Sequence, residues 1–202
     1  NLFEGSQSLD SILLMSSYLR ILSVTLIKIA NDLRLLSSGP ATGLDELSLP
    51  AVQPGSSIMP AKVNPSMAEM LDMVSFQVIG NDTVLTLCGQ AGQLELNVMM
   101  PLAAYVLLHS VDILSNAIGV FTVKCVEGIE AHPKKCMEYL ERNPIIITAL
   151  TPYLGYAHAA ELAQEAYSKN TSIRDLVLRK KLMDKKTLDK ALDLHMLAGD
   201  RR

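Results

Sequence analysis

The chain has 202 residues, 49% of them hydrophobic, with 18 basic against 21 acidic side chains and a net charge of −3. Its basic residues are scattered up to the C-terminus, which argues against nucleic acid as a partner, since that requires a basic patch. The three cysteines, Cys88, Cys125 and Cys136, are widely spaced, form no Cys-x-x-Cys pair and stand at no metal-ligand spacing with the four histidines. That pattern predicts no metal site and a reducing, cytoplasmic compartment.

With no Trp, 4% aromatics and ten Met, the core is expected to be helical and built from aliphatic side chains. The apolar fraction is high enough that part of the surface is expected to pack against other subunits. The most apolar runs, Ser11 to Ile29 and Pro101 to Val120, are interrupted by Arg20 and Lys28 and by His109, Asp112 and Asn116. Those interruptions fall short of the roughly 18 apolar residues of a membrane span, so no membrane is expected. The chain lacks an initiator Met and opens directly into helical pattern, which predicts a piece of a longer polypeptide.

Apolar residues recur at helical spacing from about Ser6 to Ser38, predicting one helix of about 45 Å at ~1.5 Å rise per residue, stopped by Gly39-Pro40. Residues 41–63 have no sustained period apart from a short strand near Leu47 to Leu49, and a loop of that length is usually functional or disordered. Asn64-Pro65 reads as an N-cap with proline at the first helical position, opening a helix to about Val78. A second helical stretch is expected from Asn81 to Cys88, then a break at Gly89 to Gly92. A long helix from Leu94 to Val126 follows, kinked at Pro101. Shorter helices are predicted at Pro133–Arg142, Ile145–Leu150, Tyr156–Ser168, Ser172–Arg179 and Lys185–Leu194. The fold class is all-α: 1–127 belongs to a long-helix bundle carrying the loop, and 128–202 forms a small helical domain.

The loop Gly55-Ser56-Ser57-Ile58-Met59-Pro60-Ala61-Lys62-Val63-Asn64-Pro65 stands apart. A serine hydroxyl becomes a base when backbone amides and a nearby cation stabilise its alkoxide. Gly55 permits close backbone approach, so amides around Ser56 and Ser57 can point at one oxyanion. Lys62 supplies a cation, and Asn64 can donate to a carboxylate. The same residues also fit a Ser-rich linker with an exposed lysine and a helix-capping asparagine.

The segment Gly-Ser-Ser-Ile-Met-Pro-x-Lys-Val-Asn-Pro resembles the third signature segment of the fumarase/aspartase superfamily. Its flanks agree: Lys28 to Pro40 before it, and Gln77 to Thr83 and Ala91 to Met99 after it. The resemblance covers essentially the whole chain, as the C-terminal two-fifths of a family member, and implies a lyase acting on a small dicarboxylate. Ser56 is then the base that takes a proton from the carbon next to a carboxylate, and an aci-carboxylate loses ammonia or water to give fumarate. Substrate binding falls to Ser57, Ile58, Met59, Lys62 and Asn64.

Glu69, five residues after Asn64, matches a glutamate that pairs in the family with a histidine from an earlier segment. The competing reading is a solvated first-turn glutamate facing the helix dipole. Asn31, Asp32 and Arg34 read as structural, and His109, His132, His158 and His195 as non-catalytic. No cofactor is expected.

Two departures stand out: Ala41 replaces an arginine common in the family, and the first two signature segments are missing. Family sites are built from three subunits of a homotetramer, so this chain is expected to carry one wall of each. Leu33-Arg34-Leu35, Ala61 and Ala91-Gly92-Gln93-Leu94 favour the aspartate-using branch over the malate-using one. A non-catalytic helical oligomerisation unit is the alternative from another class.

Overall fold

A computed structural model describes residues 1–59 and 62–199. The architecture is all-α, as expected, and divides into two compact units, Asn1–Ala131 and the residues from His132 onward.

In the first unit, α1 (Leu2–Gln7) and α2 (Asp10–Leu36) replace the single helix expected from Ser6 to Ser38. The interruption is Ser8, whose backbone is extended and whose hydroxyl accepts from the Asp10 amide at 3.2 Å. After the turn at 37–46, β1 (Leu47–Ser48) pairs antiparallel with β2 (Glu130–Ala131), so the predicted strand finds its partner beyond the bundle helices.

Helix α3 (Ser66–Gln90) is continuous where two helices were expected. Gly80 costs a helix interior about 1 kcal/mol relative to Ala. Burial of Val78, Asn81 and Leu85 on either side of it carries the helix through. Helix α4 (Met100–Lys124) also departs from expectation. Pro101 lies in its first turn, where a missing amide hydrogen costs nothing, so it starts the helix instead of kinking one.

Residues 91–99 form a tight turn in which Gln93 and Leu96 exchange backbone hydrogen bonds. Buried Asn97 pins that turn. Its Nδ2 donates to the Cys88 carbonyl at 2.8 Å, its Oδ1 accepts from the Met99 amide at 2.9 Å, and its own amide donates to the Ser6 carbonyl.

The helices run antiparallel, α2 against α3 and α3 against α4, with apolar clusters along their length. Leu9, Leu85, Cys88, Ala103 and Val106 fill one end, Leu19, Val78 and Leu114 the middle. Ala30, Leu71, Ala117, Phe121 and Cys125 fill the end nearest the loop, where burial pushes the Cys125 thiol pKa up. Polar pairs cross the seams: Arg20 with Asp82 at 2.9 Å, Ser16 with Asp82, and Asn81 with Ser110 at 2.9 Å.

One expectation about these helices needs correcting. By length and composition Asp10–Leu36 and Met100–Gly128 are apolar enough to cross a membrane, because their few charges do not break a span-length window. Each also carries a buried polar side chain bonded across a seam or to its own backbone, Ser16 on α2 and Ser110 on α4.

The second unit contains α5 (Pro133–Arg142), a 3-10 turn at Pro144–Leu150, α6 (Thr151–Leu154), α7 (Tyr156–Ser168), α8 (Ile173–Arg179), α9 (Lys185–Ala191) and α10 (Leu194–Leu197). The expected Ile145–Leu150 helix is 3-10. The expected Lys185–Leu194 helix stops early because Asp193 caps a new one, accepting from the His195 and Met196 amides. Leu150, Ile173, Val177 and Leu188 are fully buried at its centre. Glu165 ties α7 to α8 through Lys169 and Lys180, whose ammonium groups hold its carboxyl below the usual range.

Candidate active site

The loop between β1 and α3 is closed at its neck by two contacts. A Cβ added to Gly55 would lie 2.0 Å from the Lys62 carbonyl oxygen, so only glycine lets the two strands of the loop touch there. The Asn64 side-chain amide donates to the Gly55 carbonyl at 2.7 Å. Asn64 therefore does not cap α3; the capping position is Pro65, which makes no side-chain cap, and the expected N-cap is corrected accordingly. One of the two Asn64 amide hydrogens is spent on the loop itself.

Within this closed loop the Ser56 hydroxyl oxygen accepts from the backbone amides of Ile58 and Met59, each at 3.1 Å. Two amide dipoles thus converge on a serine oxygen. The donors are those of residues 58 and 59, and the acceptor is the Ser56 oxygen itself. Ser56, Met59 and Lys62 line one open concavity of about 580 Å³ together with Ala51, Gln53 and Gly55. Ser57 is exposed and Ile58 is 87% exposed, and neither is among the residues that line that concavity. Pro60 and Ala61, part of the signature segment, lie outside the described residues.

Glu69 sits in the first turn of α3, half-buried, with its Oε1 3.8 Å from Arg34 Nη2. Arg34 also donates from Nη1 to Asp72 Oδ2 at 3.0 Å and to Asn31 Oδ1 at 3.0 Å. Lys28 pairs with Asp32 one turn earlier. The α2 residues read as structural are therefore engaged, Asn31 by a hydrogen bond and Asp32 and Arg34 in ion pairs, and Arg34 reaches across to α3. Asp72 was not among the residues the sequence singled out: its place three positions after Glu69 shows only a shared helix face, and its burial beside Leu71 and Ser75 comes from packing. Of the histidines, His109 stacks in parallel on Tyr105 on α4, with ring centres 5.8 Å apart. Among the described residues no group of three or more His, Cys, Asp or Glu is placed to hold a metal ion.

An antiparallel bundle of long apolar helices, with a Ser-Ser loop closed by Asn at one end, is the framework of a helical lyase fold. Comparison with known proteins agrees. A family model described as Lyase matches residues 1–80, and one described as Fumarase C C-terminus matches 146–199.

The aspartate ammonia-lyase of Bacillus subtilis is 48% identical over 94% of this chain, which covers 40% of that protein. The fumarate hydratase class II 2 of Pseudomonas aeruginosa is 47% identical over 96% of this chain, covering 42% of that protein. A solved fumarate lyase:delta crystallin from Brucella melitensis superimposes with a TM-score of 0.92 at 43% identity, over 98% of this chain and 43% of that one. The chain belongs to the fumarase/aspartase superfamily of lyases, in the branch that holds class II fumarases and aspartate ammonia-lyases. It spans about 40% of the length of the curated relatives it matches.

Proposed function

We propose that this chain supplies the serine-base wall of an aspartate ammonia-lyase. The observation that carries the reading is the pair of amides, Ile58 and Met59, aimed at Ser56 Oγ inside a loop held shut by Gly55 and Asn64. Hydrogen bonds to the charged form of an acid favour that form, so two amide donors, with Lys62 on the same concavity, stabilise a Ser56 alkoxide. The alkoxide takes a proton from the carbon next to one carboxylate of L-aspartate. The electron pair left behind is delocalised into that carboxylate as an aci-carboxylate, which collapses to break the neighbouring carbon–nitrogen bond. Ammonia leaves and fumarate remains.

Charge grows on the carboxylate during the first step, so a fixed cation and fixed donors stabilise the transition state more than the substrate. Lys62 takes that carboxylate, with the remaining Asn64 amide hydrogen and the Ser57 hydroxyl as further donors. Ile58 and Met59 contribute their backbone beside the substrate. Glu69, in the first turn of α3, acts through a histidine that an earlier segment of the whole protein supplies.

Identity to aspartate ammonia-lyases of 48% and 49% in the first relatives favours aspartate, and a fumarate hydratase at 47% keeps malate as the second reading. The proposed assembly is a homotetramer, because α2 and α4 carry exposed apolar side chains along their outer faces; the proposed compartment is the cytoplasm, from three widely spaced cysteines with no Cys-x-x-Cys pair.

The test is Ser56→Ala in the whole protein, measured as fumarate formation from L-aspartate. We expect kcat to fall by about 10²-fold or more, the usual cost of removing a general base, with unchanged helical circular dichroism. Near-normal turnover would remove Ser56 from the role.

A further inference from the structure

We propose that Arg34, from the last turns of α2, is a positioning residue that sets the place of the Glu69 carboxylate; the proposal rests on Glu69 doing chemical work. Asp72 is the anchor on α3. Its carboxylate is buried, its Oδ1 has no hydrogen-bond partner, and its Oδ2 receives Arg34 Nη1 at 3.0 Å. Among the described residues that is the hydrogen bond the buried carboxylate makes, and a buried carboxylate stripped of its cation is strongly unfavourable. Asn31, one turn before Arg34, accepts from the same Nη1 at 3.0 Å. One arm of the guanidinium is therefore fixed from both helices.

A guanidinium is planar and rigid, so fixing one nitrogen places the other. The second nitrogen, Nη2, stands 3.8 Å from Glu69 Oε1. Glu69 and Asp72 are three residues apart and share a face of α3, which is why one arginine reaches both. A lysine would bring the charge without the fork, and so could not be held by Asp72 while meeting Glu69 in a fixed place. The consequence reaches the loop, because Glu69 lies in the turn that follows directly from Asn64 and Pro65. The same contact ties the end of α2 to the start of α3 beside the serine loop.

The experiment is a double-mutant cycle in the whole protein, with kcat and KM for L-aspartate measured for Arg34→Lys, Glu69→Gln and the two together. Arg34→Lys keeps a cation beside buried Asp72, and Asp72→Asn gives a second route that releases the fork while retaining Arg34. We expect Glu69→Gln to lower kcat, and Arg34→Lys and Asp72→Asn each to lower kcat by roughly 10-fold or more with KM within about twofold, as displaced catalytic groups do.

Arg34→Lys should then add nothing in the Glu69→Gln background, since residues acting through one another are not additive. An equal further loss in that background would show a general structural role and overturn the proposal. Wild-type kcat in Arg34→Lys and Asp72→Asn would overturn it as well. If Glu69→Gln alone left kcat unchanged, the role of Glu69 and this proposal would both fall, while the Ser56→Ala result would still decide the serine base separately.

Discussion

At Gly55 a methyl group would lie 2.0 Å from the Lys62 carbonyl oxygen and 2.6 Å from its carbonyl carbon, so the loop could not close as it does. The backbone would have to move, and with it Ser56, the next residue. Gly55→Ala in the whole protein is therefore expected to lower kcat by roughly 10-fold or more, since small displacements of a reacting group are costly. The thermal midpoint should barely move, because among the described residues 55–59 and 62–64 none belongs to the helix clusters. Unchanged turnover would mean that the closure at Gly55 is not what holds Ser56.

The loop residues were legible in the sequence because hydroxyls, a lysine and an asparagine are unusual company in an apolar chain. The contacts among them were not: a hydrogen bond from Asn64 to Gly55 joins residues nine apart, and no local pattern encodes it. Asp72 was missed for a related reason, since its importance comes from burial against Arg34 on another helix.

Helices α2 and α4 bury one face and leave the other apolar. Leu14, Tyr18 and Ile21 on α2 and Leu102, Tyr105 and Leu108 on α4 are largely exposed in this chain. Apolar residues on both faces explain why helix existence was easy to read and helix boundaries were not. With little to mark the period, the expected helices left a gap at 79–80 that packing closes, and Pro101 was read as a kink where it starts a helix.

The same outer faces carry the proposed assembly. Leu108→Glu would place a charge without a partner in a packed helix interface, which is strongly unfavourable. Sedimentation equilibrium of the whole protein is expected to give a tetramer for wild type and smaller species for Leu108→Glu, with helical content retained. An unchanged mass for the variant would take α4 out of the interface.

For the molecule as a whole, the all-α fold was readable from aliphatic composition and helical spacing, and the superfamily from one loop and its flanks. The substrate was not readable in the same way. Leu33-Arg34-Leu35 belongs to a helix engaged in ion pairs, and Gln93 and Leu94 lie in a turn held by buried Asn97. None of these contacts is one that tells an amino group from a hydroxyl. Whether the whole protein is an aspartate ammonia-lyase with its serine base on this chain is decided by assaying it with saturating L-aspartate and, separately, with saturating L-malate. L-Aspartate is expected to give fumarate and ammonia at a rate far above any turnover of L-malate. Turnover of L-malate without turnover of L-aspartate would contradict it.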